Sequence, residues 1–269
     1  MDNSPLNGTN YYKVSAVNDD FESIFSNVVF VKAIISKSFN VNGVTFKMVY
    51  VSGGTFQMGA TSEQGGDAND REKPVHSVTL SDYWIGETEV TQALWQAVMG
   101  WNLSYFSGRQ RPVEKVSWDD CQEFISKLNK LTGQTFRLPK EAEWEFAARG
   151  GNKAASQTKY AGSDNIDDVA WYSGNIGSST QDVATKAPNA LGLYDMSGNV
   201  WEWCQDWYGD YSSGSQTNPT GPTSGSFRVI RGGSWNCNAR YCRVSYRNEY
   251  YPPFSLNDLG FRLALRLTL

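Results

Sequence analysis

Histidine is nearly missing from this chain: its 269 residues hold one, His76, in the run PVHSVTL. That run reads as an ordinary strand, with no catalytic partner for the imidazole. Long apolar runs are missing too, and nothing approaches the roughly 18 residues that a membrane helix needs, so no span is expected. Basic charge is not in excess. With 24 Lys and Arg against 28 Asp and Glu, the net charge is -4, which argues against the clustered positive face of a general nucleic-acid binder. Cysteine is sparse, and Cys121, Cys204, Cys237 and Cys242 give no disulfide or metal pattern beyond the last two. No secretory leader is visible, so the targeting segment of an exported form is expected to lie outside this sequence.

What is plentiful is aromatic and flexible: 10 Trp, 14 Tyr and 25 Gly suggest a loop-rich fold pinned by rings. The length suits one large domain with a small extra piece. The most informative stretch is the last forty-odd residues. Arg228 to Trp235 and Leu259 to Leu265 read as framework strands; in the second, Phe261, Leu263 and Leu265 alternate with Arg262, Ala264 and Arg266, the period of a half-buried strand. Between them, Asn236 to Asp258 contain no Lys, Gln, Gly, Met or Trp. Tyr241, Tyr246, Tyr250, Tyr251 and Phe254 follow no apolar period, so these rings are expected to face outward. Stiff tyrosines among adaptable Ser and Asn make a binding surface. The alternative is a long loop packed on its own domain.

RGGSW at 231–235 and LGFRLAL at 259–265 resemble the end of the formylglycine-generating-enzyme (sulfatase-modifying factor) superfamily domain. The resemblance runs upstream in order through MVYVSGGTFQMG, EVTQALW, FRLPKEAEWEFAARGG and NALGLYDMSGNVWEWCQDWY, covering residues 42–269. It implies an α+β, C-type lectin fold, irregular and loop-rich. Within this superfamily the chain is most similar to the variable proteins of diversity-generating retroelements, in which adenines near the end of the gene are rewritten. An AAC codon altered at its adenines reaches Asn, Tyr, Ser, Cys, Phe, Leu, Pro and Asp, but not Lys, Gln, Glu, Met or Trp. Asn236, Cys237, Asn238, Tyr241, Tyr250, Tyr251, Pro253, Phe254, Ser255, Leu256 and Asp258 are all reachable, and form the expected ligand-binding set inside a variable region of about 228–265. Glu249 is not reachable.

The same resemblance carries an enzyme alternative. Cys237 and Cys242 match the copper-binding pair of the formylglycine-generating oxidase, which acts on a sulfatase cysteine, and two soft thiolates suit Cu(I). This chain departs from that pattern in having Asn238 where the enzyme has a histidine, and in a shorter segment after Cys242. Cys237 equally suits a diversified Asn codon, and Cys242 a buried framework position. The lone His76 excludes the chemistry of the related iron-dependent sulfoxide synthases, which need several histidine ligands.

Residues 1–38 resemble the last two strands of a fibronectin type III module, YYKVSAV at 11–17 and NVVFVKA at 27–33; an extra hairpin of the main domain is the other reading. From Asn42 the main domain is expected to begin with a hairpin of 44–51 and 55–58 about Gly53 and Gly54, followed by a polar loop at 61–73. Thr91 caps one helix. Ser117 with Asp120 opens a second, carrying a stripe of Cys121, Phe124, Leu128 and Leu131 that ends at Gly133. A third helix follows Pro139; its Glu141, Glu143 and Glu145 read as solvated or salt-bridged rather than catalytic. Residues 151–187 read as a surface excursion, and Trp201, Trp203 and Trp207 as scaffold. The turn from Asp195 to Glu202 resembles a calcium site of the enzyme, with Asp195, Gly198, Val200 and Glu202 as ligands; a buried acid pair bonded to amides is the alternative.

The combined expectation is an exported, displayed ligand-binding protein with a diversified surface, an unknown protein or cell-surface ligand, and no cofactor needed for binding. A copper-dependent oxidase and a static adhesion module of the same fold are the alternatives.

Overall fold

The structure is a computed structural model that describes residues 9–12, 29–32 and 34–266, and it divides into a unit of residues 1–35 and one of 36–269. In the first unit, β1 (Thr9–Tyr12) pairs antiparallel with β2 (Val29–Lys32). The remainder of the two strands expected at 11–17 and 27–33 lies outside the described residues.

The second unit opens at Ser36 rather than at Asn42, because β3 (Ser36–Val41) belongs to its main sheet. Asn42 and Gly43, at φ 49° and 83°, form a two-residue turn into β4 (Val44–Val51). Asn-Gly is favoured there because both central residues of such a turn need positive φ. The expected hairpin about Gly53 and Gly54 does not form. β5 (Gly54–Met58) instead pairs with β6 (His76–Leu80) in another sheet. The close approach of chains explains Gly53, since a Cβ there would lie 2.2 Å from the Leu80 carbonyl oxygen.

β7 (Tyr83–Gly86) follows, then α1 (Gln92–Met99) and α2 (Trp118–Thr132). Their starts are the expected ones: the Thr91 hydroxyl accepts from Leu94 N–H, and Ser117 and Asp120 close a capping box. The α2 stripe buries Cys121, Phe124, Ile125 and Leu128, whereas Leu131, expected in it, is exposed beyond the last turn that meets the core. Phe124 stacks on Trp95 with centroids 5.1 Å apart, and Phe261 packs edge-on against both.

β8 (Phe136–Arg137), α3 (Glu141–Ala148) and the single-turn α4 (Ile166–Val169) lead to β9 (Trp201–Trp207), β10 (Gln216–Thr217), β11 (Arg228–Arg231), β12 (Arg247–Tyr250), β13 (Leu259–Gly260) and β14 (Ala264–Arg266). Among the described residues of this unit the strands form three sheets, in the orders β3-β4-β7-β14-β8, β12-β11-β9-β13 and β10-β6-β5. The framework segment expected as one half-buried strand at 259–265 is therefore two short strands in two sheets. Its alternation also fails physically: Arg262 is as buried as Phe261, because a buried carboxylate receives it.

Candidate functional site

The segment 228–266 is fastened to the rest of the unit by four buried arginines, each on a glutamate from elsewhere. Arg231 meets Glu145. Arg243 bonds both oxygens of Glu72, at 2.6 and 2.8 Å, and Arg247 both oxygens of Glu141, at 2.7 Å each. Arg262 holds Glu202 through Nε at 2.6 Å and Nη2 at 2.7 Å. The planar guanidinium fork makes such two-point contacts directional as well as strong. Two of the partners, Glu141 and Glu145, lie on α3 with Glu143, which pairs with Arg137. All three are ion-paired as one reading of the sequence had it, but buried rather than solvated. Glu72 comes from the stretch expected to be a plain polar loop.

Between these fastenings the side chains alternate in fate. Asn236, Asn238, Tyr251, Pro253, Phe254 and Ser255 are exposed; Cys237, Tyr241, Tyr250 and Leu256 are half-buried. Asp258 is buried, accepting from the Ser234 hydroxyl at 3.0 Å, so it braces the GGSW turn instead of facing a ligand. Leu256 packs on the main core, and its carbonyl accepts from Lys115 N–H. Tyr246, expected to face outward, is only 8% exposed and lies between Tyr241 and Trp201. The exposed rings of Tyr251 and Phe254 gather with half-buried Phe227 and Tyr250, Tyr251 lying 4.2 Å from Phe227 and 5.6 Å from Phe254 between centroids. Glu249, the codon misfit, bonds Arg71 at 2.6 Å and so belongs to the framework.

A neighbouring wall was not legible in the sequence. Leu103 and Tyr105 are each 66% exposed on the loop after α1. Phe106 of that loop meets Trp235 edge-on at 5.3 Å, and Trp235 donates to the Asn257 carbonyl. Glu114 holds the loop by accepting from Phe106 N–H at 2.8 Å; burial pushes its carboxyl up to about 7. The compositional hint was the ring-rich run WNLSYF following Gly100.

Cys237 and Cys242 pack in one apolar cluster with Tyr160, Ile166 and Val169. Burial pushes both thiols up; the Ser234 hydroxyl, 3.1 Å from the Cys237 sulfur, opposes this at Cys237, while the neighbouring Cys237 adds to it at Cys242. As two soft donors the pair fits Cu(I) in kind, although as free thiols both hold their protons tightly.

The calcium expectation fits in part. Asp195 is buried with Oδ1 lacking any partner, and burial pushes its carboxyl up to about 6. Glu202, expected beside it as a ligand, has both oxygens on Arg262, and Trp144 donates to Oε2 at 2.7 Å. Nearby Glu89 accepts from Val200 N–H and the Asn199 amide, and burial beside Asp195 and Glu202 raises it well above the carboxylate range. Three acids thus face Arg262, a local excess of negative charge.

Asp206 shows a second excess. Burial first, then the Glu141 charge, pushes it up to about 7, opposed by the Glu141 N–H that donates to its Oδ2 at 3.0 Å. A carboxyl with a raised folded-state pKa stabilises the fold fully below its unfolded value, and that contribution is lost as pH rises through the folded value. Asp206→Asn keeps the acceptor but cannot ionise. Its urea midpoint is therefore expected to gain on the parent's as pH rises from about 4 through about 7; a constant difference across that range would remove this assignment.

The sulfatase-modifying factor enzyme 1-like domain family matches residues 36–267. Among solved structures, Treponema denticola variable protein 1 superimposes with a TM-score of 0.79 and 36% identity, covering 87% of this chain and 100% of that one. The formylglycine-generating enzyme of Streptomyces coelicolor is 32% identical over 286 aligned positions, 80% of this chain and 88% of the enzyme. The chaperone protein LppX of Paenibacillus barcinonensis is 34% identical over 274 positions, 83% of this chain and 89% of that protein. The α+β fold is the C-type lectin fold of the formylglycine-generating-enzyme type, a scaffold that these relatives put to different uses. By the extent of these matches, the chain belongs to the sulfatase-modifying factor enzyme 1-like domain family.

Proposed function

We propose that this chain is a ligand-binding protein whose C-terminal surface is diversified by a retroelement, displayed outside the cell to a protein or cell-surface ligand. The observation that carries the reading is the interleaving just described: six of the eleven exchangeable side chains are exposed, while Arg231, Arg243, Arg247 and Arg262, which fasten the segment, are each buried on a glutamate outside it. Side chains can change on such a surface without disturbing the core. Likeness to a protein itself named variable supports it. Anchoring rings are the usual source of affinity, which gives that role to Tyr241, Tyr250, Tyr251 and Phe254. Sequencing codons 228–265 across the source population, with a search of flanking DNA for a near-copy, tests the reading. Substitutions are expected at Asn236, Asn238, Tyr251, Pro253, Phe254 and Ser255, sparing Arg243, Arg247 and Glu249. A uniform segment with no copy leaves a static adhesion module instead.

The convergence of Cys237 and Cys242 favours a second reading, the copper-dependent formylglycine-generating oxidase. Copper bound there would supply oxidation chemistry; the chain itself offers the two sulfurs and the Ser234 hydroxyl beside one of them. Tight Cu(I) binding lost in both Cys237→Ser and Cys242→Ser would support it, and binding indifferent to either change would remove it.

Calcium belongs to the proposal as a structural ion held by Asp195 and nearby backbone carbonyls, relieving the excess charge beside Glu89. Millimolar calcium is expected to raise the melting temperature above a potassium control, more above about pH 6 than below, since Asp195 must be ionised. Asp195→Asn should abolish the rise. An equal rise in that variant places the ion elsewhere.

A further inference from the structure

Separate from the C-terminal surface, a cavity of about 260 Å³ opens between the loop after β9 and the start of α3, lined among others by His76, Asp206, Trp207, Tyr211 and Arg247. Its charges do not balance. Arg247, the cation in the wall, is used up: both oxygens of Glu141 lie on it at 2.7 Å, and its guanidinium sits 4.4 and 4.1 Å from the ring centres of Tyr208 and Tyr211. Asp206 has no such partner. It is 4% exposed, and its Oδ2 accepts the Glu141 N–H at 3.0 Å. Exposed Asp210 adds a second carboxylate at the rim. Lys140 and Arg228 attract Asp206 through space while Glu141 and Glu143 repel it, and none of the described cations forms an ion pair with it; a buried carboxylate without an ion pair costs several kcal/mol unless it is protonated or paired.

The missing partner has a definable chemistry. The remaining wall is aromatic and proline-rich, from Trp207, Tyr211, Pro219 and Pro222, which suits a short apolar stem. Sites for drug-sized molecules span about 300–1,000 Å³, so the occupant is smaller than these. We propose that this cavity binds a primary alkylammonium group, with the Asp206 carboxylate as its ionic partner and the rings around it as walls for the alkyl stem. Proton and ligand then compete for one oxygen, in keeping with a carboxyl pushed up to about 7. The ammonium could come from a free small amine or from a lysine side chain of a partner; both present the same group.

The chain carries its own reporter, because its single histidine lines the cavity. The His76 Nδ1 lies 3.0 Å from the Pro74 carbonyl, which fixes the ring. The experiment follows the His76 imidazole carbon-proton resonance at about pH 8, where Asp206 is mostly ionised, during titration with butylammonium chloride. A saturable shift is expected, exceeding that of potassium chloride at matched ionic strength, and weakened at least about tenfold in Asp206→Asn, the usual scale for a lost charged hydrogen bond. 1-Butanol, equal in length but uncharged, and tetrabutylammonium, too bulky to enter, are expected to give no saturable shift. An acetylated and an unmodified lysine peptide then separate a partner side chain from a free amine. The proposal is overturned by a butylammonium response that does not saturate, by an equal response to 1-butanol, or by undiminished binding in Asp206→Asn. Should that variant not fold, the comparison of butylammonium with 1-butanol in the parent chain decides alone.

Discussion

Glu145→Ala is expected to cost about 3–5 kcal/mol, the scale for leaving a buried partner charge uncompensated. Glu145 is fully buried. Its Oε1 accepts from Gly59 N–H and from Arg149 Nε, both at 2.9 Å, and its Oε2 takes the Arg231 guanidinium. Truncation therefore takes a carboxylate from two arginines. Arg149 keeps Glu63 and the Gly59 carbonyl. Arg231 keeps backbone carbonyls, the Trp144 ring 5.3 Å away and a 3.5 Å contact with Glu141, already committed to Arg247. In a domain of this size each kcal/mol moves the melting temperature by about 2–4 °C, so a fall on the order of 10 °C is expected by calorimetry. Glu249→Ala is the control. Its pair with Arg71 is partly solvated, with side chains 21% and 44% exposed, and surface pairs are worth about 0–1 kcal/mol. A Glu145→Ala chain melting within a degree or two of that control would show that Glu145 does not fasten the segment. The pair need not make the fold more stable than an apolar substitute would; what it does is fix where Arg231, and hence the GGSW turn, must lie.

Those fastenings mark the limit of what could be read from the chain. Local signals were legible because they act within a few residues: the Thr91 cap, the Ser117 and Asp120 box, and the Gly133 stop all stand where expected. Asn42-Gly43 was equally local but went unused, and with it the first strand of the main sheet. The partners of Arg243, Arg247 and Arg262 lie 171, 106 and 60 positions away. No periodicity signals such pairs, so Arg262 seemed to sit on the wet face of a strand. Composition located the outward surface well at Tyr251 and Phe254, but could not separate them from Tyr246 or Asp258, whose burial depends on Trp201 and Ser234 brought from elsewhere. Asp206 was invisible for a similar reason. Its isolation is created by the pairing of Glu141 with Arg247, not by its own neighbours in sequence.

A library randomised at Asn236, Asn238, Tyr251, Phe254 and Ser255 is expected to remain mostly folded, with melting temperatures within a few degrees of the parent's, whereas one randomised at Arg231, Arg243, Arg247 and Arg262 is expected to yield almost no soluble chains besides those that keep all four arginines. The first set is exposed, and substitutions at such positions usually stay within about 0.5 kcal/mol. The second set is fully or almost fully buried, and lysine cannot rescue it, because a single ammonium cannot reproduce the paired contacts to Glu72, Glu141 and Glu202. Protease resistance of displayed chains followed by sequencing reads both libraries at once. The two extremes also bracket the half-buried positions. Tyr241 packs on Tyr246 at 5.0 Å and Tyr250 on Phe254 at 5.8 Å, so each is expected to tolerate polar or small residues at a cost of about 1 kcal/mol, the scale of an aromatic contact. Equal loss from the exposed and buried libraries would mean that the loop is part of the core's packing, and a surface of that kind could not be rewritten residue by residue.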